Sequence, residues 1–147
     1  MTTITEDSLF SGELPYVVIF VNKAGSGIHS IWERIDRVHH DITKESEIQG
    51  ILDLYRNGEG FLIDRDFWHT FSKVFCVCVT DAEGKITQGE IFKGLRWLKG
   101  VLPKRDIKEV AIPLIPEYDA DKLAEELDNI GISACFYNVT PRVMPKE

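Results

Sequence analysis

Positive charge is in short supply. Seventeen lysines and arginines stand against 24 aspartates and glutamates, giving a net charge of −7 over 147 residues. Such a chain repels a nucleic-acid backbone unless a local basic patch compensates. The one basic cluster, LPKRDIK around Lys104 and Arg105, is interrupted by Asp106 and reads as a solvated loop. Cysteine is scarcer. Cys76, Cys78 and Cys135 form no Cys-x-x-Cys pair and have no histidine beside them at zinc-ligand spacing, so the pattern calls for no metal. Cys76 and Cys78 share one face of a strand and read as buried, reduced thiols. Long hydrophobic runs are absent. No window approaches the roughly 18 uncharged apolar residues that span a bilayer. MTTITEDSLF lacks the basic start and apolar core of a secretion signal. No membrane partner and a cytoplasmic location are the expectation. No Walker-type Gly-Lys-Ser/Thr, no Gly-x-Gly-x-x-Gly and no Gly-x-Ser-x-Gly elbow occurs, and nothing requires a cofactor.

What is present is an alternation of short apolar runs with amphipathic stretches. Hydrophobic content of 44% and charged content of 28% suit one compact domain over residues 1–147. YVVIFV (16–21), FLI (61–63), VFCVCVTD (74–81), VAIPLI (110–115) and SACFYNV (133–139) read as strands. Pro113 argues that the end of its strand is not fully paired. Ile28, Ile31, Trp32, Ile35 and Val38 recur at steps of three and four and predict one helix; Ile48, Ile51, Leu52 and Tyr55 predict a second. Thr87 and Glu90 fit a capping box for a third helix, which buries Ile91, Leu95 and Leu98 with Phe92 beside them and ends at Pro103. Asp119 or Asp121 caps a fourth, with Leu123, Leu127 and Ile130 on its face and Gly131 as its stop. This order predicts an α/β fold with three layers, α/β/α, around a mixed, mostly parallel sheet. In such sheets ligands sit outside the carboxyl ends of the strands. That rule marks the loops after Val21, after Ile115 and after Phe136 or Tyr137.

The first of these loops is VNKAGSGI, residues 21–28. Gly25 and Gly27 allow a ligand close to the backbone, and the helix behind them aims its N–H groups at an anion. A phosphate turn and a plain tight turn both fit these residues. His29 follows in the first helical turn, placed to contact a phosphate or donate a proton; a surface histidine is the alternative. RDFWHTF (65–71) is rich in aromatics and reads as core, lid or interaction patch.

Taken together, these segments resemble a macro domain, the fold that typically binds ADP-ribose. ITEDSLF is similar to that family's opening Gly-Asp-hydrophobic-Phe motif, with Glu6 where glycine is usual. VVIFVNKAGSGI is similar to its buried strand and first phosphate loop, YRNGEGFLI to the segment after its second helix, and EIFKGLRWLKGVLPKRDIKEVAIPLI to its later helix and strand. The resemblance implies that Asp7 accepts from an adenine amino group and that Asn22 lies near the distal ribose. It implies that Gly25, Ser26, Gly27 and Ile28 line the pyrophosphate, and that Phe136, Tyr137 or Asn138 lies near adenine and its ribose. Asp7 also fits a helix or turn cap, and Asn22 a strand end bonding its own backbone. One of Phe136 and Tyr137 falls in the core by strand alternation.

The chain departs from the family where a second glycine-rich loop is usual. PEYDAD stands there (Pro116, Glu117, Tyr118, Asp119), without glycine and with three acids; Tyr118 fits either a stacking residue or a surface tyrosine. The expectation is binding of ADP-ribose or a related adenine nucleotide. Hydrolysis of an ADP-ribosyl or phosphate bond would use Asn22 and the glycine loop to position water, with His29 beside them. Two alternatives are a degenerate macro-like module that holds a protein partner through RDFWHTF, and an unrelated α/β nucleotide-binding or sequestering protein.

Overall fold

The computed structural model describes residues 2–5, 9, 16–23, 25–38, 40, 41, 43, 44, 47, 48, 50, 52, 59–63 and 73–139. Asp7, His39, His69 and RDFWHTF lie outside them. Among these residues the strands are β1 (Thr2–Ile4), β2 (Tyr16–Val21), β3 (Gly60–Ile63), β4 (Lys73–Cys78), β5 (Glu109–Leu114) and β6 (Ser133–Asn138). The helices are α1 (Ser30–Val38), α2 (Gln88–Lys104) and α3 (Ala120–Asp128). The sheet runs β1-β6-β5-β2-β4-β3. Every neighbouring pair is parallel except β3 with β4.

Strands β2 and, after Lys73, β4 are apolar because both of their faces are covered. Val17, Ile19, Val21, Val74, Cys76 and Cys78 point into one layer, where Ile31, Trp32 and Ile35 of α1 meet them. Val18, Phe20, Phe75 and Val77 point into the other, against Ile91, Leu95, Leu98 and Leu102 of α2 and Leu123 and Leu127 of α3. The predicted three-layer architecture is therefore present. The three cysteines are buried and unpaired, and burial pushes the Cys76 thiol up.

Connections leave the sheet centre in opposite directions. From β2 the chain passes through α1 on one face toward β4; from β5 it passes through α3 on the other face toward β6. β2 and β5 are adjacent yet register at one position, Val17 with Ala111. Pro113 sits on β5 opposite Tyr137 of β6, on the side that is fully laddered. Reversal of connections between neighbouring parallel strands opens a crevice at their carboxyl ends.

Several local expectations need correction. β1 escaped the sequence reading because three residues, TTI, carry no usable alternation. α2 continues one residue past Pro103, whose fixed φ is itself helical. Phe92 lies exposed rather than beside the buried stripe, and Ile130 is past the end of α3 and exposed, with Ile132 buried in its place. Thr87 does accept from the Glu90 amide at 3.2 Å, but the Thr87 amide itself donates to Val79. Glu90 is thus free to pair with Lys23 at 3.5 Å and Lys93 at 3.6 Å. Thr43, Lys44, Glu47, Ile48, Gly50 and Leu52 are helical, yet Ile48 and Leu52 are exposed. The packed side carries Thr43, Glu47 and Gly50, at steps of four and three.

Candidate functional site

The glycine turn folds onto itself. Val21 bridges Gly27, the Asn22 amide donates to Ser26 O at 2.9 Å, and the Gly25 amide donates to Asn22 O at 2.9 Å. The Ser26 amide donates to Asn22 Oδ1 at 3.1 Å, and the Ile28 amide to Phe20 O at 3.1 Å. Backbone donors that a phosphate would use at Gly25, Ser26 and Ile28 are therefore spent within the chain. Gly25 needs its glycine for a φ of 77° and for a 3.2 Å approach of its would-be Cβ to Gly50 Cα. At Gly27 a Cβ would stand 2.3 Å from Trp32 Cγ. Packing accounts for both glycines.

Beyond this turn a cavity of about 360 Å³ opens over the carboxyl ends of β4, β2, β5 and β6. Ile28 and His29 reach it from β2, Thr80, Gly84 and Ile86 from β4, Leu114 through Glu117 from β5, and Val139 from β6. Its size and its largely apolar wall suit a small-molecule ligand. A hairpin-like turn holds the β4 side: Thr80 bridges Ile86, and Asp81 Oδ1 accepts from the Glu83 and Lys85 amides at 2.9 and 3.0 Å. The Lys85 bond foremost holds the Asp81 carboxyl below its ordinary range.

His29 is a wall of this cavity and not the surface residue its position allowed. It is 3% exposed, packs on Phe20 with ring centroids 5.6 Å apart, and burial lowers its pKa to about 4. The lowered pKa keeps the imidazole uncharged at neutral pH, a form in which one ring nitrogen carries a proton and the other accepts. Four buried side-chain polar atoms lack a hydrogen-bond partner among the described residues: His29 Nε2, Thr80 Oγ1, Glu117 Oε2 and Trp32 Nε1. The first three belong to residues that line this one cavity.

The remaining predicted residues separate. Phe136 and Tyr137 are both fully buried, one in each layer. The Tyr137 hydroxyl donates to Val18 O. Asn138 is exposed at the end of β6. Tyr118 is half-buried, its hydroxyl donating to Pro113 O and its ring edge-on to Phe20 at 6.2 Å, and burial raises its pKa. It lines a second cavity of about 270 Å³ with Gln88, Phe92, Lys122 and Glu126, and Glu117 borders both. Sequence reasoning missed Thr80 and Ile86, because a short turn after β4 carried no phosphate-type signal. Glu117 stood in a marked loop, where its acidity was read as a departure rather than as part of a wall.

Neither family models nor curated proteins match this sequence. Solved structures do. The macrodomain of Mycobacterium tuberculosis DarG is 18% identical at a TM-score of 0.70, with 97% of this chain and 99% of that one covered. Thermosipho africanus DarTG in complex with ADP-ribose is 15% identical at 0.70, with 93% of this chain covered against 41% of that longer one. The macrodomain of Thermus aquaticus DarG is 14% identical at 0.68, with 92% and 96% covered. The chain has the macro domain fold.

Proposed function

We propose that this protein binds ADP-ribose or a related adenine nucleotide in the crevice over β4, β2, β5 and β6. The observation that carries the reading is the position of the 360 Å³ cavity, at the reversal of connections where open α/β sheets take their ligands. A similar fold, that of Thermosipho africanus DarTG, was solved with ADP-ribose, which supports the choice of ligand. Binding without turnover is the activity we assign. Asn22, the residue expected to position water, has its side-chain oxygen accepting from the Ser26 amide.

Titration calorimetry tests this. ADP-ribose should bind with a Kd in the micromolar range, roughly −8 kcal/mol. Ile86→Trp, which fills the cavity from a half-exposed turn position, should remove binding while the thermal midpoint holds. Absence of heat at millimolar ADP-ribose would defeat the reading.

A further inference from the structure

Charge is divided between two neighbouring helices. α2 and α3 cover the same face of the sheet and are joined by the Lys99–Glu126 pair at 3.8 Å. α2 buries Ile91, Gly94, Leu95, Leu98 and Leu102. Helical spacing turns Lys93, Arg96 and Lys104 to the opposite side, and all three are exposed. Glu90 is the one acid of this helix, and it is held by Lys23 and Lys93. α3 buries Leu123 and Leu127 and turns out Asp121, Glu125 and Asp128, with Lys122 as its one cation. Arg96 and Glu125, the middle members of the two rows, have no ion-pair partner among the described residues. Between the rows lies the 270 Å³ cavity, floored by Ile91, Leu95 and Leu123. At its edge Phe92 is 55% exposed. Gly89 and Gly100 flank Arg96 on the outer side of α2, where an added Cβ would meet nothing, so another helix can come close.

We propose that this face pairs with the same face of a second copy of the chain, in a two-fold dimer. Both helices follow a strand of the parallel set and precede the next one, so they run in the same direction. A two-fold axis normal to their layer lays α2 of each copy antiparallel over α3 of the other, because such an interface is self-complementary. The basic row then meets the acidic row twice, with Arg96 opposite Glu125 of the second copy and Phe92 of each copy closing the other's apolar groove. A nucleic acid fits this face less well: it matches the basic row, but the acidic row beside it repels a polyanion. The net charge of −7 on each copy opposes association at long range, but salt screens it beyond about 8 Å under physiological conditions, leaving the contact charges in control. The 17-residue α2 is about 25 Å long, which with α3 beside it makes a small interface of the transient class. The crevice over the strand ends stays open in this dimer, and the proposal does not depend on what binds there.

Sedimentation velocity on the full chain tests it, with thermal midpoints confirming that each variant folds. Wild type should form a dimer with a Kd of roughly 10–100 μM, weakening about 10-fold or more between about 0.15 M and about 1 M salt as screening shortens to about 3 Å. Arg96→Glu and Glu125→Arg should each weaken association at least about 10-fold, because each places like charges opposite one another twice. An equimolar mixture of these two variants restores both contacts, and should associate within about 3-fold of wild type. Phe92→Ser should weaken the dimer about 10-fold at unchanged stability. A monomer at about 500 μM protein overturns the proposal, including one that binds a single-stranded oligonucleotide or polyglutamate instead. So does a dimer indifferent to Arg96→Glu, or a mixture that fails to associate.

Discussion

Burial decides what His29 does at each pH. Its pKa lies near 4 in the fold, against 6.5 for the free side chain. Between these values the unfolded chain binds the extra proton, so this contribution to stability is complete above about pH 7 and is lost as pH falls from 6.5 toward 4. The shift corresponds to about 3 kcal/mol. Urea unfolding at pH 7.5 and 4.5 should show that loss in the wild type beyond the loss in His29→Gln; parallel profiles would contradict a buried neutral imidazole. Gly27 tests the glycine turn. An alanine Cβ 2.3 Å from the Trp32 ring should cost about 1–3 kcal/mol by overpacking, visible as a lower thermal midpoint. A phosphate role alone would instead weaken ligand at unchanged stability. Residue-scale reading of VNKAGSGI could not separate these roles. The partners that demand its glycines, Trp32 and Gly50, are brought there by the fold.

At the scale of elements, apolar period was a reliable guide wherever an apolar face does the packing. β2, β4, α1, α2 and α3 were legible for that reason. It failed where the element is too short to show a period, as in the three residues of β1, of which Ile4 packs on the core. Helix ends were legible through their caps. Asp119 Oδ1 accepts from the Asp121 and Lys122 amides at 3.0 and 3.2 Å, which settles the choice between Asp119 and Asp121. Asp119→Ala should cost about 1 kcal/mol, with 0.5–2 as the range for N-caps, measured by chemical unfolding. Because Asp119 borders the second cavity and not the first, ADP-ribose affinity should persist in the folded variant. A loss of affinity without a loss of stability would move the site toward α3.

For the whole molecule, strand order creates the site. No single motif places Thr80, His29 and Glu117 together. Their approach follows from β2 lying between β4 and β5 and from connections that diverge on opposite faces. The sequence pointed to two of the loops involved, after Val21 and after Ile115, because the strand-end rule depends only on element order. Thr80 could not be read that way, since its burial depends on the turn that bridges it to Ile86. The central claim is that this crevice is where an ADP-ribose-type ligand binds. Backbone amide chemical shifts followed during titration with ADP-ribose test it most directly. The account predicts that the largest saturable changes fall on Ile28, His29, Thr80, Ile86, Ile115 and Glu117. Changes confined to the Phe92 and Lys122 groove, or none at millimolar ligand, would contradict it.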